Sequence, residues 1–220
     1  SAPCKSIIHY AAEAKGNIMK NIFVTGCDEK NKWMLPWLIE RFEKYHGDDN
    51  DLYIVDFDQG YPELDGWFKK PQIMLEASTW GDNVCWIDTD CEIRGNLNSI
   101  FDYVQEGRIA IAVDQPWCTR RPERGRWFNS GVVAFTGRPA ILREWARIIW
   151  EKKHNEVGDQ EVLNWMLGGD SLRELTHINE LPRIYNTLRL DIKDNTAPAN
   201  PKIIHWTGAK GKDTIREMIK

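Results

Sequence analysis

Apolar residues recur along this chain in two alternating rhythms. Short β-rich runs over residues 22–25, 52–55 and 84–87 are separated by stretches with apolar residues at helical spacing, 33–45 and 68–80. This pattern predicts strands alternating with helices. Gly26 ends the first run, and the turn-forming Gly47, Asp48, Asp49 and Asn50 precede the second. Alternation of this kind builds a parallel sheet covered by helices. Beyond residue 90 the rhythm changes. Residues 109–113 and 132–135 read as strands flanking a polar insertion over 114–127, which predicts a mixed sheet. Residues 140–153 and 160–167 read as amphipathic helices, the second ended by Gly168, Gly169 and Asp170. The tail is irregular around Pro182, Pro198 and Pro201 before a last strand at 203–204 and a short helix. The expected fold class is α/β, a mixed but mainly parallel central sheet flanked by helices, with no internal repeat.

The run 84–87 stops abruptly at Asp88-Thr89-Asp90. In an extended chain the side chains at i and i+2 share a face, so both carboxylates would meet just beyond a buried strand. Adjacent acids repel unless a cation lies between them, and Mg2+ or Mn2+ commonly bridges protein carboxylates to substrate phosphates. Ligand sites of open α/β sheets lie at such strand ends. The pair therefore points to a nucleotide diphosphate carrying a transferable group. Asp-X-Asp triplets also arise by chance in loops, where acids only solvate a turn.

Length and composition narrow the picture. At 220 residues, 42% hydrophobic and 28% charged, the chain fits one large domain. Residues 1–18 read as a non-native or flexible segment ahead of a single domain over 19–220. No apolar stretch approaches the ~18 residues of a membrane span, so none is expected. The net charge of -4 and pI near 5.8 exclude a global positive field for nucleic acid or anionic membrane; any basic site must be local. Five scattered cysteines, at positions 4, 27, 85, 91 and 118, argue against a disulfide scaffold and fit a reducing compartment. With no signal-peptide pattern in residues 1–18, the expected localisation is cytoplasmic, in a bacterium or a host cell. Eleven tryptophans spread from Trp33 to Trp206 are expected in the core or lining a groove.

Four further segments acquire meaning beside the acid pair: Lys70-Pro71, Asn129-Ser130-Gly131, Asp159-Gln160 and His205-Trp206-Thr207-Gly208. In this order and rough spacing, from Ile22 to about Lys212, they resemble the GT-A glycosyltransferases. The nearest pattern is the glycogenin and bacterial galactosyltransferase group, family eight. The resemblance implies a Rossmann-like GT-A fold and a metal-dependent transfer of sugar from a UDP-sugar to an acceptor hydroxyl on a glycan, protein or other molecule. It assigns Asp88, Asp90 and His205 to a Mn2+ (or Mg2+) ion on the donor diphosphate, a sensible set because a neutral imidazole can complete a carboxylate site.

Donor contacts implied by the resemblance are Thr25, Gly26, Lys70, Thr89, Asn129, Ser130, Gly131, Gln160, Trp206 and Gly208, together with the two acids. The base is uracil by resemblance, with Asp28, Lys30, Lys32 and Trp33 near it or simply solvated. Lys210 and Lys212 flank Gly211, where the family carries its lysine, so either could reach the diphosphate. Asp159 is the candidate catalytic carboxylate: a base if the reaction inverts, a group positioning the sugar with Gln160 if it retains, as family eight does. Its plainer reading is a helix N-cap; for Lys70-Pro71 it is a helix start, and for Asn129-Ser130-Gly131 a turn. His205 could equally be a hydrogen-bonded strand-end residue.

The acceptor is expected to be a glycan or glycoprotein. An insertion with Arg120, Arg121, Arg124 and Arg126 leaves open a phosphate-bearing acceptor, DNA included, although the acidic chain counts against nucleic acid. A nucleotidyltransferase would need a glycine-rich basic first loop that residues 25–30 lack. A non-catalytic sugar-binding module would need no acid pair with a late histidine.

Overall fold

The computed structural model describes residues 7–10, 19–47 and 50–220. The first half alternates as the hydrophobic pattern predicts. Strand β1 (Ile7–Tyr10) and β2 (Asn21–Cys27) precede helix α1 (Leu35–His46), which a 3-10 turn over Glu29–Met34 introduces. Strand β3 (Asp51–Asp56), helix α2 (Lys70–Ala77) and strand β4 (Asn83–Ile87) follow, then β5 (Cys91–Ile93) and β6 (Ile109–Val113). Pro36 and Pro71 stand in the first turns of α1 and α2, where a missing N–H costs nothing.

The polar insertion contains a helix, α3 (Gln115–Arg120), capped by Asp114. Then come β7 (Phe128–Thr136), α4 (Ala140–Trp150), α5 (Asp159–Leu167), α6 (Ser171–His177) and β8 (Ile178–Glu180). The tail holds β9 (Thr187–Leu188), α7 (Arg189–Lys193), β10 (Ile203–His205) and α8 (Gly208–Ile219). The last helix has twelve residues, longer than the short one expected. Its Ile215 is fully buried and anchors it.

Seven strands form the main sheet in the order β1-β3-β2-β4-β7-β6-β8. Only β1 and β7 run against the rest, so the sheet is mixed and mainly parallel. Residues 7–10, inside the segment the sequence sets apart, pair with Val55 to Leu52 as its edge strand; the remainder of 1–18 lies outside the described residues. Central strands bury both faces. On β4, Val84 and Trp86 face α2, α4 and α5 with Phe135 and Trp145, while Cys85 and Ile87 face α1 with Phe23, Leu38 and Ile203.

A second sheet, β5-β10-β9, places β10 antiparallel to β5, with His205 opposite Cys91. This pairing brings a residue from the end of the chain beside the acid pair. Cys27, Cys85, Cys91 and Cys118 are free thiols. No helix among the described residues is long and apolar enough to cross a membrane.

Candidate functional site

Asp88, Thr89 and Asp90 leave β4 as a turn, closed by the Cys91 amide donating to the Asp88 carbonyl at 3.1 Å. The extended geometry expected from the i, i+2 spacing is not what unites the carboxylates. Instead, both face one ring atom: His205 Nε2 lies 3.1 Å from Asp90 Oδ1 and 3.9 Å from Asp88 Oδ2. The turn is pinned by the Asp88 amide donating to the Gly131 carbonyl (2.8 Å) and the Trp206 amide donating to the Asp90 carbonyl (2.9 Å). Trp86 Nε1 donates to Asp88 Oδ1 at 2.7 Å.

The other nitrogen of His205 is held by two asparagines. Nδ1 faces Asn129 Oδ1 and Asn186 Oδ1, both at 3.1 Å, two acceptors that require it to carry a proton. In the neutral ring, Nε2 then keeps its lone pair toward the acids, the arrangement in which a histidine ligates metal. Asn186 Nδ2 donates to Asn129 Oδ1 (2.9 Å), and Asn129 Nδ2 donates to Asp114 Oδ2 (3.3 Å). His205 is thus a hydrogen-bonded residue at the end of β10, as its plainer reading expects, and its Nε2 also faces both acids.

Two carboxylates and a held imidazole suit Mn2+ or Mg2+. Cys91 also places its sulfur near Asp90 and His205, within 4.8 Å. Mg2+ and Mn2+ prefer oxygen to sulfur, so Asp88 is the better third ligand for either.

A three-residue bulge explains the Asn-Ser-Gly segment. Ile111 pairs with Val133 and Ala112 with Asn129, so residues 130–132 have no partner on β6. The segment belongs to β7 and is not the simple turn into Val132. Gly131 is required because a Cβ there would overlap the His205 ring. We expect Gly131→Ala to displace that ring and cost about 1–3 kcal/mol. Thermal melting and metal titration of the variant check this, and a variant matching the parent in both would refute the close approach.

Lys70 lies at the first turn of α2 with its side chain 3% exposed. Its ammonium bridges Asp88 Oδ1 at 3.0 Å and Asp159 Oδ2 at 3.2 Å. Burial opposes its charge, but Asp159 and Asp88 outweigh burial and raise its pKa. Asp159 is the first residue of α5, and Gly158 is the cap, so the N-cap role does not apply. Burial raises the Asp159 pKa, with Lys70 opposing. Ser130 Oγ donates to Asp159 Oδ2 (2.9 Å), and Gln160 Oε1 accepts from the Ser130 amide (3.1 Å). Asn164, which sequence reasoning missed, brackets Phe128 with both its amide atoms.

The acid triplet and Lys70 open onto a cavity of about 570 Å3 that Gly26, Asn31, Trp67, Gly208, Lys212 and others also line; His205, Asn129, Ser130, Gly131, Asp159 and Gln160 lie behind them, outside the lining. Lys212 lines it and donates to Asn31 Oδ1 at 2.7 Å, whereas Lys210 is exposed and is not part of the lining. Gly211 between them packs so closely on the Trp206 backbone that a Cβ would overlap it. The expected diphosphate turn is thus the N-terminus of α8, whose amide dipoles favour an anion. Gly26 lines the cavity, but Thr25 is fully buried within β2 and does not. Trp206 also lies outside the lining; its Nε1 donates to Glu92 (3.0 Å), which pairs with Arg41 (3.2 Å).

The arginine insertion spends its charge locally. Arg120 pairs with Asp194 at 2.6 Å, Arg126 with Glu174 and Glu180, and Arg124 stacks on Trp117 and Trp127.

The histidine has a stability signature in metal-free protein. Burial disfavours the imidazolium, yet Asp90 and Asp88 outweigh it and raise the His205 pKa. The stabilisation is therefore complete below the unfolded pKa of about 6.5 and is lost as pH rises through the folded value. In EDTA, the Tm contributed by this pair should fall above about pH 6.5, and His205→Gln should flatten that slope. A slope of the opposite sign that disappears in the variant would contradict the assigned pair.

No family model matches the sequence, and no curated protein matches it in sequence. Solved structures do. The galactosyltransferase LgtC, in complex with donor and acceptor sugar analogs, superposes with a TM-score of 0.56 at 13% identity, over 90% of this chain and 94% of that one. The glycosyltransferase GlyE of Streptococcus pneumoniae TIGR4 gives 0.62 at 17% identity, over 87% of this chain but 55% of its own. A glycosyltransferase involved in glycosylation of the major capsid of PBCV-1 gives 0.61 at 13%, over 91% of this chain and all of that one. The chain has the GT-A fold of these glycosyltransferases.

Proposed function

We propose that this protein is a metal-dependent glycosyltransferase that moves a sugar from a UDP-sugar to a hydroxyl acceptor, within or close to the family-eight group. The observation that carries the reading is the convergence of Asp88 and Asp90, which line the cavity with Lys212 and the N-terminus of α8, on the Nε2 of a His205 held behind them. A binding module has no need of such a set. The GT-A likeness supports sugar transfer, and the sequence motifs favour uracil as the base.

Asp88, Asp90 and His205 would hold the Mn2+ or Mg2+ ion, which when bound neutralises charge on the leaving diphosphate. Lys212 and the α8 amides add positive potential beside Asp90. Lys70 keeps Asp88 and Asp159 in register across the sugar subsite. Asp159 is 7% exposed and engaged by Lys70 and Ser130. That placement suits a fixed anion stabilising an oxocarbenium-like centre better than a mobile base deprotonating an acceptor, and so favours retention. The acceptor is assigned only as a hydroxyl, with a glycan or glycoprotein preferred.

The test is release of UDP from a panel of UDP-sugars with Mn2+, with the anomeric configuration of any product read by NMR. Metal-dependent release from one sugar with retained configuration is the expected result. Release unaffected by EDTA, or an inverted product, would remove the metal or the retaining part respectively.

A further inference from the structure

Trp67 is the one large apolar side chain among the described cavity-lining residues that is left mostly in water, 53% exposed. The other aromatic of the lining, Phe57, is packed away, 6% exposed and stacked on Trp86. A single exposed tryptophan is ordinary, and Trp165 is as exposed; what sets Trp67 apart is its place in the lining of the cleft that Lys70 and the acid triplet share.

Its position is specific. Trp67 stands three residues before Lys70, in the 3-10 turn Gly66–Lys69 that leads into α2. That turn is held from below by Lys69 Nζ, which donates to the Phe57 carbonyl. On its other side the indole reaches α5: a Cβ on Gly158 would lie 3.5 Å from Trp67 Nε1. The ring therefore adjoins both Lys70 and the start of α5, the two elements whose Lys70 and Asp159 side chains meet at 3.2 Å. Asn31 and Lys30 line the cavity from the β2 side, next to Gly26. The indole thus flanks the Lys70–Asp159 corner, where a transferred group would lie.

We infer that the Trp67 indole is the platform on which the transferred sugar stacks, and that this sugar is a pyranose presenting a face of C–H bonds to the ring. The inference rests on the glycosyltransferase reading above and deepens it at the sugar subsite. An indole offers a flat apolar surface with little side-chain freedom to lose. A pyranose has one apolar face and a rim of hydroxyls, the complementary shape. Uracil is also flat, so the competing occupant is the base.

Calorimetric titration of UDP, UDP-glucose, UDP-galactose and UDP-N-acetylglucosamine, with Mn2+ present, separates the two. In the parent protein at least one UDP-sugar should bind more tightly than UDP. In Trp67→Ala, affinity for UDP should stay within about twofold, while the advantage of that sugar falls by roughly tenfold, the scale expected for uncovering part of an indole. Trp67→Phe should keep most of the advantage, which a purely structural role for the side chain would not predict. An equal fall for UDP and the UDP-sugar in Trp67→Ala overturns the assignment in favour of base stacking or a folding defect. An unchanged advantage, or no advantage for any of the three sugars in the parent, also overturns it. Failure of the parent to bind UDP at all refutes the glycosyltransferase reading itself, and is distinguishable because no variant is involved.

Discussion

Asp90→Ala is expected to reduce metal-dependent release of UDP from its UDP-sugar by on the order of 10^3-fold, above the 10- to 100-fold typical of losing a group behind a metal ligand. Asp90 is 15% exposed in its side chain and meets His205 Nε2 at 3.1 Å. Its carbonyl also accepts the Trp206 amide, a backbone contact that alanine retains. Burial opposes the Asp90 charge, but His205 and Lys212 outweigh it and lower its pKa. The carboxylate is therefore ionised and ready to ligate at neutral pH. Asp90→Asn keeps the shape and loses the charge, so it should behave nearly as poorly. Steady-state kinetics across a Mn2+ titration check this. If either variant recovers parental turnover at saturating metal, Asp90 acts on metal affinity alone and not on the reaction.

Lys70→Met should destabilise the fold by about 3–5 kcal/mol, because it leaves Asp159 and Asp88 facing one another without their shared cation. At roughly 2–4 °C per kcal/mol for a chain of this size, Tm should fall by about 6–20 °C. The deficit has a pH signature. Lowering the pH protonates the stranded carboxylates and should close the gap between variant and parent. The double variant Lys70→Met with Asp159→Asn should recover part of the loss at neutral pH, since one unpaired charge is gone. Equal melting of Lys70→Met and the parent would mean that the buried ammonium is not what holds the corner together.

These two residues show how the site could be read from sequence. Asp88 and Asp90 end an apolar strand, and Lys70 precedes a helix-starting proline, so both carried local signals. The geometry that unites the acids did not. It depends on β10 pairing with β5 more than a hundred residues earlier in the chain, a contact with no local periodicity. Asn186 was missed for the same reason. It lies in an irregular stretch after Pro182, and only the fold brings its amide oxygen to His205 Nδ1. Asp114 looked like a loop residue and proves to cap α3 while accepting from Asn129.

Other differences have equally physical causes. Lys210 and Lys212 could not be separated along the chain, but a helix starting at Gly208 turns one outward and the other into the cavity. The arginine run looked like the local basic site because charge density along a sequence ignores partners. Folded, Arg126 finds carboxylates from α6 and β8, Arg120 finds Asp194 at the end of α7, and Arg124 stacks on Trp117 and Trp127. Trp67 gave no signal at all, being one tryptophan among eleven; only its exposure beside Lys70 distinguishes it. The parallel half of the sheet was legible because each buried strand there is a continuous apolar run. The bulge in β7 was not, since a break in register leaves no mark on hydrophobicity.

The central claim is that the acid pair and His205 form a donor-metal site. It is tested most directly by calorimetric titration of UDP and GDP into the parent protein and Asp90→Ala, each with Mn2+ and with EDTA. The account predicts UDP binding by the parent with Mn2+, weaker or absent binding of GDP, and loss of UDP binding both in EDTA and in Asp90→Ala. UDP binding that survives EDTA and the substitution would contradict it, leaving the cavity as a metal-independent nucleotide or sugar pocket.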